Sequence, residues 1–166
     1  MAASEAHTTL PLPTFSKPVK LLIVVAPWFK AVTDAMIAGA KAKAAQAGAE
    51  VDILEVPGPL EVPQAIALAE RLAEYDGYMA LACILRGKTT HFETDAHDIG
   101  RALMMMGLGG ACIGNGILTV ETIDQAVERA NPAGLDKGGE AAAAALHLVA
   151  ISRKWAGQTK GIGFRA

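Results

Sequence analysis

VKLLIVVA at residues 19–26, together with the Ala- and Lys-rich segment at residues 31–48, decides the fold of this chain. The first segment is a continuous apolar run rich in β-branched residues, which is typical of a strand buried on both faces. The second segment carries apolar residues at helical spacing and closes on a glycine, a residue that often ends helices. The pair predicts a strand followed by a helix.

The same alternation continues along the rest of the chain. Further strands are predicted at residues 50–56, 77–85 and 111–117, and further helices at residues 63–75, 90–106, 121–130 and 139–155. Repeated βαβ units imply right-handed crossovers and parallel strands. The sequence therefore predicts an α/β fold that is three-layered and doubly wound, with a four-stranded parallel sheet and helices on both faces.

The chain has 166 residues, 52% of them hydrophobic, which suits one domain with a sizeable core. Residues 1–18 contain three prolines and no apolar period, so we expect an extended, poorly ordered N-terminal arm. The single domain is predicted over residues 19–157, and residues 158–166 are predicted to form a flexible C-terminal tail.

Composition excludes several classes of partner. The net charge is −2 and the basic residues form no long run, so neither nucleic acid nor a membrane surface is expected as a partner. The apolar runs are shorter than the roughly 20 residues of a membrane-spanning helix. Cys83 and Cys112 lie in apolar runs of a chain without a secretory signal, which predicts reduced thiols and a cytoplasmic protein.

In an open parallel sheet, ligands bind beyond the carboxyl ends of the strands. Four predicted strand exits therefore matter most. They read APWF at residues 26–29, VPGPLE at 56–61, LRGKTTH at 85–91 and GNGILT at 114–119. These turns hold most of the residue types that a polar ligand needs.

The third exit is the most informative. Gly87 lets the backbone approach a ligand closely, and Thr90 with Glu93 three residues later has the pattern of a capping box. A helix should then begin at His91. Backbone amides near Thr89 and Thr90 would point at an anion, which predicts a phosphate site.

Two basic side chains, Arg86 and Lys88, flank this predicted phosphate site. The positive end of the helix dipole should keep the His91 ring neutral and able to take a proton. Asp95, one turn later, is positioned to orient the ring or to bond solvent. The competing interpretation of His91 is a capping or surface residue.

Other features favour ordinary structural roles. His97 is predicted at the surface, and the run Met104 to Met106 is predicted to pack in the core. A metal site built from His91, Asp95 and His97 is not supported, because positions 91 and 97 lie on different helix faces. No nucleotide-binding glycine motif is present.

Taken in order, the four exits resemble those of 6,7-dimethyl-8-ribityllumazine synthases. The most specific segments are VPGPLEVP at residues 56–63, LRGKTTHFE at 85–93, NGILT at 115–119, QA at 125–126, ERA at 128–130 and KG at 137–138. The resemblance extends from residue 19 to about residue 155. It implies a flavodoxin-like fold and a transferase of riboflavin biosynthesis that needs no cofactor and no metal.

The resemblance also implies the reaction and its residues. Two small molecules, 5-amino-6-(D-ribitylamino)uracil and 3,4-dihydroxy-2-butanone 4-phosphate, would condense to the lumazine, and His91 would transfer protons. The residues implied for the pyrimidine and the ribityl chain are Trp28, Pro59, Leu60, Glu61, Ile84, Leu85 and Asn115. Those implied for phosphate are Gly87, Lys88, Thr89, Thr90, Arg129 and Lys137.

Arg129 is predicted at the end of a helix that runs away from its strand exit, so it is expected to serve a neighbouring copy. The resemblance implies the same: sites between adjacent subunits of a pentameric ring, with Asn115 also contributed across the interface. A pentamer, a pair of pentamers and a 60-subunit shell are all compatible with it.

The chain departs from the family pattern at several positions. Pro59 has no amide hydrogen, Lys88 replaces a residue that is often acidic or small, and Phe29 stands where asparagine is common. Ala82-Cys83 replaces a pair that usually contains glycine. Three alternatives stay open: an archaeal-type riboflavin synthase, a catalytically weakened ring or shell protein that binds flavin or lumazine, and a flavodoxin-like binding module.

Overall fold

A computed structural model describes residues 9–157 of the chain. Its elements are β1 Lys20–Val25, α1 Lys30–Gln46, β2 Glu50–Glu55, α2 Glu61–Leu72, β3 Gly77–Leu85, α3 His91–Leu108, β4 Ile113–Val120, α4 Ile123–Ala130 and α5 Lys137–Ala156. The first eight residues of the predicted arm and the predicted tail at residues 158–166 lie outside the described residues.

The four strands form one parallel sheet in the order β2-β1-β3-β4. From β1 the chain crosses outward to β2 and then returns to the other side of β1 to form β3. The predicted α/β architecture is therefore confirmed. The strand order reverses between β1 and β3, and the carboxyl ends of these two strands border the place where such sheets bind ligands.

Alternate residues of β1 face opposite layers of the molecule. Leu21 and Ile23 contribute to a core shared with α1, α4 and α5, whereas Leu22 and Val24 contribute to a core shared with α2 and α3. Because both faces of the strand are covered, its sequence is continuously apolar rather than alternating. This is the physical reason that residues 19–26 identify the fold.

Glycines allow α5 to lie unusually close to its neighbours. A Cβ atom on Gly138 would stand 2.0 Å from the carbonyl oxygen of Met36 in α1, and one on Gly114 would stand 1.8 Å from the carbonyl oxygen of Ala141. Neither contact leaves room for a side chain. The layer of α1 and α5 is therefore held together by backbone-to-backbone packing.

The fourth strand corrects a sequence prediction. It was expected at residues 111–117 with a turn beginning at Gly114, but the structure has β4 from Ile113 to Val120. Gly114 and Gly116 lie inside the strand because α5 and the Leu81 side chain occupy the space that their side chains would need. They permit close packing rather than a turn.

Three helix starts differ from the prediction by two residues: α4 begins at Ile123 rather than at residue 121, and α2 and α5 begin earlier than predicted. Helix α2 begins at Glu61, so that Pro63 lies in its first turn, where a missing amide hydrogen costs no helical hydrogen bond. Helix α5 begins at Lys137, because the Asp136 carboxylate accepts a hydrogen bond from the Gly139 amide at 3.0 Å and caps it.

The part of the arm that the structure describes, residues 9–18, forms neither helix nor strand. Its end is held by Arg153 of α5, whose guanidinium donates to the carbonyl oxygens of Lys17 at 2.9 Å and Pro18 at 2.6 Å. The same guanidinium pairs with Asp76 at 2.9 Å. Within residues 9–157, no helix combines the length and the apolar character needed to cross a membrane.

Candidate functional site

A cavity of about 260 Å³ lies at the carboxyl ends of β1 and β3, where the strand order reverses. Its lining includes six of the residues predicted for the site: Trp28, Ile84, Leu85, Gly87, Thr89 and His91. Phe29, Phe92 and Asp95 complete the lining. The first and third strand exits therefore meet in one place, as expected for this topology.

Trp28 forms one wall of the cavity and is held by a specific hydrogen bond. Its indole Nε1 donates to the carbonyl oxygen of Pro57 at 2.8 Å, while 50% of the residue stays exposed. A Cβ atom on Gly58 would lie 3.2 Å from the indole ring. The ring is thus oriented against the second strand exit and offers apolar surface to a planar ligand.

The second exit supplies a carboxylate beside the indole. Glu61 begins α2, and its carboxylate oxygen lies 2.8 Å from the position of a Cβ on Gly58, so that Glu61 and Trp28 flank the same glycine. Leu60 is 42% exposed, and the Pro59 carbonyl accepts from the Val62 amide at 3.2 Å. Pro59, Leu60 and Glu61 do not line the cavity, and Glu61 is related to it through the glycine that it shares with Trp28.

Phe29, which also lines the cavity, has an unusual backbone conformation. It precedes α1 with φ of 55° and ψ of 61°, in the left-handed region that asparagine adopts more readily than phenylalanine. Its carbonyl oxygen accepts from the amides of Val32 at 2.8 Å and Thr33 at 3.2 Å. This geometry explains why asparagine suits the position.

The loop at residues 87–90 leads into α3, which begins at His91 as predicted. The predicted capping box is wrong, because the Thr90 side chain makes no capping hydrogen bond and Thr90 has helical φ and ψ. Glu93, its expected partner, instead forms an ion pair with Arg86. Thr90 thus provides no side-chain cap, and the amides at this helix start favour an anion.

Arg86 does not serve as a free cation beside the loop, contrary to the sequence prediction. Its Nε donates to the Glu121 carboxylate at 2.8 Å, and its Nη1 pairs with Glu93. Its guanidinium carbon lies 4.3 Å from the centroid of the Phe92 ring. These partners raise the pKa of Arg86, with the Glu121 hydrogen bond contributing most.

His91 and Asp95 both line the cavity, one helical turn apart on α3. Among the described residues, no hydrogen bond joins them, so an orienting role for Asp95 stays a hypothesis. Lys88, in the middle of the loop, is exposed. The loop therefore presents one exposed ammonium group and several backbone amides next to the histidine.

Eight predicted site residues do not line this cavity: Pro59, Leu60, Glu61, Lys88 and Thr90, which belong to the second and third strand exits, and Asn115, Arg129 and Lys137, which lie in β4, α4 and α5. Asn115 lies inside β4, where its Oδ1 accepts from the Ile117 amide at 2.9 Å. Arg129 ends α4 and donates to the carbonyl oxygen of Gln125 at 3.3 Å. Lys137 pairs with Glu140 at 2.6 Å. The single chain thus assembles the indole, the loop and the histidine without Asn115, Arg129 and Lys137.

Sequence reasoning missed the contacts made by Phe92 and Glu121. A signal for Glu121 was present: Leu85 and Val120 are register partners in β3 and β4, so the residues that follow them, Arg86 and Glu121, must be neighbours. Opposite charges immediately after two adjacent parallel strands predict an ion pair. The register itself, however, depends on a strand whose end was misplaced.

These features define an α/β protein with a candidate small-molecule site at the switch point of a parallel sheet. An oriented indole, a helix-start loop and a histidine converge there. In the described part of the chain, no cluster of three or more His, Cys, Asp or Glu side chains is arranged to hold a metal ion.

Comparison with known proteins identifies the family. The family model described as 6,7-dimethyl-8-ribityllumazine synthase matches residues 18–153, and the chain belongs to this family. The resemblance found in the four strand exits is thereby confirmed.

Several curated relatives carry the same name. A protein of Jannaschia sp. (strain CCS1) is 45% identical over 163 residues, which cover 98% of this chain and 92% of the relative. One from Novosphingobium aromaticivorans is 50% identical over 136 residues, covering 82% and 98% respectively. A Rhizobium meliloti protein named 6,7-dimethyl-8-ribityllumazine synthase 1 is 46% identical over 144 residues, covering 83% and 94%.

Proposed function

We propose that this protein is an enzyme of riboflavin biosynthesis that condenses 5-amino-6-(D-ribitylamino)uracil with 3,4-dihydroxy-2-butanone 4-phosphate. The products are 6,7-dimethyl-8-ribityllumazine, phosphate and water. The observation that carries the proposal is the convergence of Trp28, the loop at residues 87–90 and His91 on one cavity in a chain of this family.

The pyrimidine fits the part of the cavity beside Trp28. Its planar ring would stack on the half-exposed indole, and the backbone at Ile84 and Leu85 would bond the polar edge of the heterocycle. The ribityl chain would extend along the second exit, past Pro59 and Leu60, toward the Glu61 carboxylate. A carboxylate accepts hydrogen bonds from hydroxyl groups, which suits a polyol.

The butanone phosphate fits the other end of the cavity. Its phosphate would bind the amides of Gly87, Thr89 and Thr90 at the start of α3, with the Lys88 ammonium group as a counter-ion. Arg129 and Lys137 of a second copy would add two further cations. This places the carbonyl carbon of the substrate between the phosphate loop and the pyrimidine amine.

His91 would move protons in the steps that follow. The pyrimidine amine adds to the ketone and loses water to form an imine, phosphate leaves by elimination, and the ribitylamino nitrogen then closes the ring with loss of a second water. Each of these steps requires a proton to be removed and another to be supplied. A histidine beside the reacting atoms is suited to both tasks.

We further propose that the working form is a homo-oligomer built from pentamers, located in the cytoplasm. Asn115, Arg129 and Lys137 lie outside the cavity of their own chain, which supports sites completed by an adjacent copy. Exposed apolar side chains on α3 support a partner surface: Met105 is 63% exposed and Leu108 is 82% exposed. The free, buried thiols of Cys83 and Cys112 are compatible with a reducing compartment.

A turnover assay tests the function. Lumazine absorbance would be followed with both substrates in the presence of the protein, of His91→Ala, or of no protein. We expect turnover well above the protein-free rate and a loss of about 10²- to 10⁴-fold in kcat for His91→Ala, the usual contribution of a proton-transfer residue. Wild-type turnover equal to the protein-free rate would contradict the proposal.

A second candidate is a ring or shell protein that binds lumazine or flavin without turnover. The observation in its favour is Pro59, which has no amide hydrogen to donate at the exit that would hold the ribityl chain. Binding of riboflavin with no turnover would support this candidate. Turnover that is raised a few-fold in Pro59→Ser, through a lower KM for the pyrimidine, would support the enzyme with a weakened ribityl contact.

A further inference from the structure

Three charged side chains join three segments of the site without lining its cavity. Arg86 follows β3, Glu93 lies in the first turn of α3, and Glu121 follows β4. Arg86 bonds Glu121 through Nε at 2.8 Å and pairs with Glu93 through Nη1. Its guanidinium also lies over the Phe92 ring, at 4.3 Å from the centroid. We call these three residues the Arg86 cluster.

Two members of the Arg86 cluster, Arg86 and Glu93, flank the loop at residues 87–90 in the sequence. Arg86 is the residue before the loop, and Glu93 is the third residue of the helix that follows it. An ion pair between these two residues therefore closes the loop at its base. The Arg86 amide adds a hydrogen bond to the Val120 carbonyl oxygen at 2.9 Å, which fixes the start of the loop to β4.

The same geometry argues against a direct role for Arg86 in binding substrate. Two of its nitrogen atoms already donate to carboxylates, and one face of its guanidinium is covered by Phe92. Arg86 is absent from the cavity lining, whereas Gly87, Thr89 and His91 are present. The hydrogen bond from Arg86 holds the pKa of Glu93 below its ordinary value, so the pair stays charged at neutral pH.

We propose that Arg86 is a positioning residue, which together with Glu93 and Glu121 fixes the loop at residues 87–90 and the His91 side chain relative to the ends of β3 and β4. This inference rests on the proposed function for its kinetic consequences. Its structural consequence, an ordered loop, does not depend on turnover.

The expected effects separate positioning from stability. Exposed ion pairs contribute little to folding, and the side chains of Arg86, Glu93 and Glu121 are 38%, 55% and 55% exposed. A catalytic group displaced by about 1 Å, in contrast, costs roughly 100-fold in rate. Loss of the cluster should therefore lower activity far more than it lowers the melting temperature.

The test compares Glu93→Gln and Glu121→Gln with the control Asp52→Asn. Asp52 also forms an exposed ion pair, with Lys20 at 3.0 Å, but at the start of β1, away from the cavity. We expect kcat/KM for the butanone phosphate to fall about 10- to 100-fold in Glu93→Gln and less in Glu121→Gln. Asp52→Asn should stay within about twofold of wild type.

Two arginine variants sharpen the assignment. Arg86→Lys keeps the charge but replaces the two guanidinium nitrogens that reach the two carboxylates with a single nitrogen, so we expect partial activity. Arg86→Met should lose at least as much activity as Glu93→Gln. The double variant Arg86→Met/Glu93→Gln should be no less active than Arg86→Met, because the two substitutions remove the same ion pair. If Arg86→Met fails to fold, the two glutamate variants still test whether the ion pairs position the loop.

Hydrogen exchange gives a readout that is independent of turnover. In Glu93→Gln, we expect the amides of residues 86–95 to exchange roughly tenfold faster than in wild type and in Asp52→Asn, because local opening becomes easier. Unchanged exchange together with kcat/KM within twofold of wild type in both glutamate variants would overturn the proposal. A large loss in Arg86→Met alone would also overturn it, since Arg86 would then act on the substrate directly. If the wild type shows no turnover but the amides exchange faster in Glu93→Gln, the proposed function is refuted and the positioning inference is supported.

Discussion

Helices α3 and α5 are similar in length but differ in how they are packed. The 20-residue α5 buries seven residues and approaches α1 and β4 through glycines, down to backbone contact. The 18-residue α3 buries only Ile99 and Leu103 and leaves Leu108 82% exposed. Within residues 9–157, α5 is closely packed, whereas much of the apolar surface of α3 is exposed.

The proposed site lies at the start of the helix that is less closely packed. The predicted catalytic histidine begins the helix that buries fewer residues, and ion pairs of the Arg86 cluster supplement the small core contact made by Ile99 and Leu103. A site next to loosely packed surface can be completed by another copy of the chain. The rigid layer of α1 and α5 supplies the framework against which such a site is held.

The largest expected effect is a loss of stability when the close packing of α5 is disturbed. Gly138→Ala should lower the free energy of unfolding by about 3 kcal/mol or more, because the new Cβ would meet the rigid Met36 carbonyl oxygen. Gly107→Ala in α3, where a Cβ has open space in the single chain, should change it by at most about 1 kcal/mol. Urea unfolding measures both, and equal effects would refute the contrast.

The second prediction tests the exposed surface of α3. Leu108→Asp should dissociate the assembly, because a charge replaces an apolar side chain at the proposed interface; loss of one such anchor costs about 2 kcal/mol of association. Ala42→Asp, at an exposed position of α1, is the matched control. Sedimentation velocity separates the outcomes, and a Leu108→Asp assembly of unchanged size would show that α3 is not at the interface.

A smaller effect is expected at the opposite wall of the cavity. Trp28→Phe keeps an aromatic face but loses the hydrogen bond to Pro57, which is worth about 1 kcal/mol. The KM for the pyrimidine should rise about fivefold with kcat nearly unchanged. Trp155→Phe, at an exposed position of α5, should leave both constants as they are. A changed kcat in Trp28→Phe would indicate a role beyond binding.

The smallest expected effect is on the stability of the protein in acid. Because Arg86 lowers the pKa of Glu93 in the folded protein, this carboxylate stabilises the fold above its unfolded pKa, and the stabilisation is lost as pH falls through the folded pKa. The melting temperature of wild type should slightly exceed that of Glu93→Gln at neutral pH, and the difference should vanish in acid. An ordinary carboxyl group has a pKa of about 4. A difference in melting temperature between wild type and Glu93→Gln that persists or grows below about pH 3 would therefore contradict this explanation.

The central strands β1 and β3 were predictable because burial on both faces leaves a continuous apolar run in the sequence. β3 was placed at its exact bounds from residue composition alone. The end of β4 was not, because Gly114 and Gly116 reflect the close approach of α5, which comes from a distant part of the chain. A local sequence pattern cannot distinguish a glycine that forms a turn from a glycine that allows another element to pack closely.

The site shows the same division. Trp28, Gly87 and His91 were predictable because the ends of β1 and β3 must meet at one edge of the sheet. The capping box at Thr90 failed because a charged partner outside the helix, Arg86, competes for Glu93. The expected packing of Met104 and Met105 is wrong within the single chain, where they are 65% and 63% exposed.

The roles proposed for Asn115, Arg129 and Lys137 require contacts between copies, and subunit mixing tests them most directly. His91→Ala and Arg129→Ala chains, carrying different tags, would be co-expressed and purified through both tags. If each site takes His91 from one copy and Arg129 from the next, each variant alone should be at least tenfold slower than wild type, and the mixed assembly should regain roughly a quarter of wild-type turnover, as expected for random arrangement around a ring. Mixed assemblies no more active than either variant alone would contradict a site shared between copies.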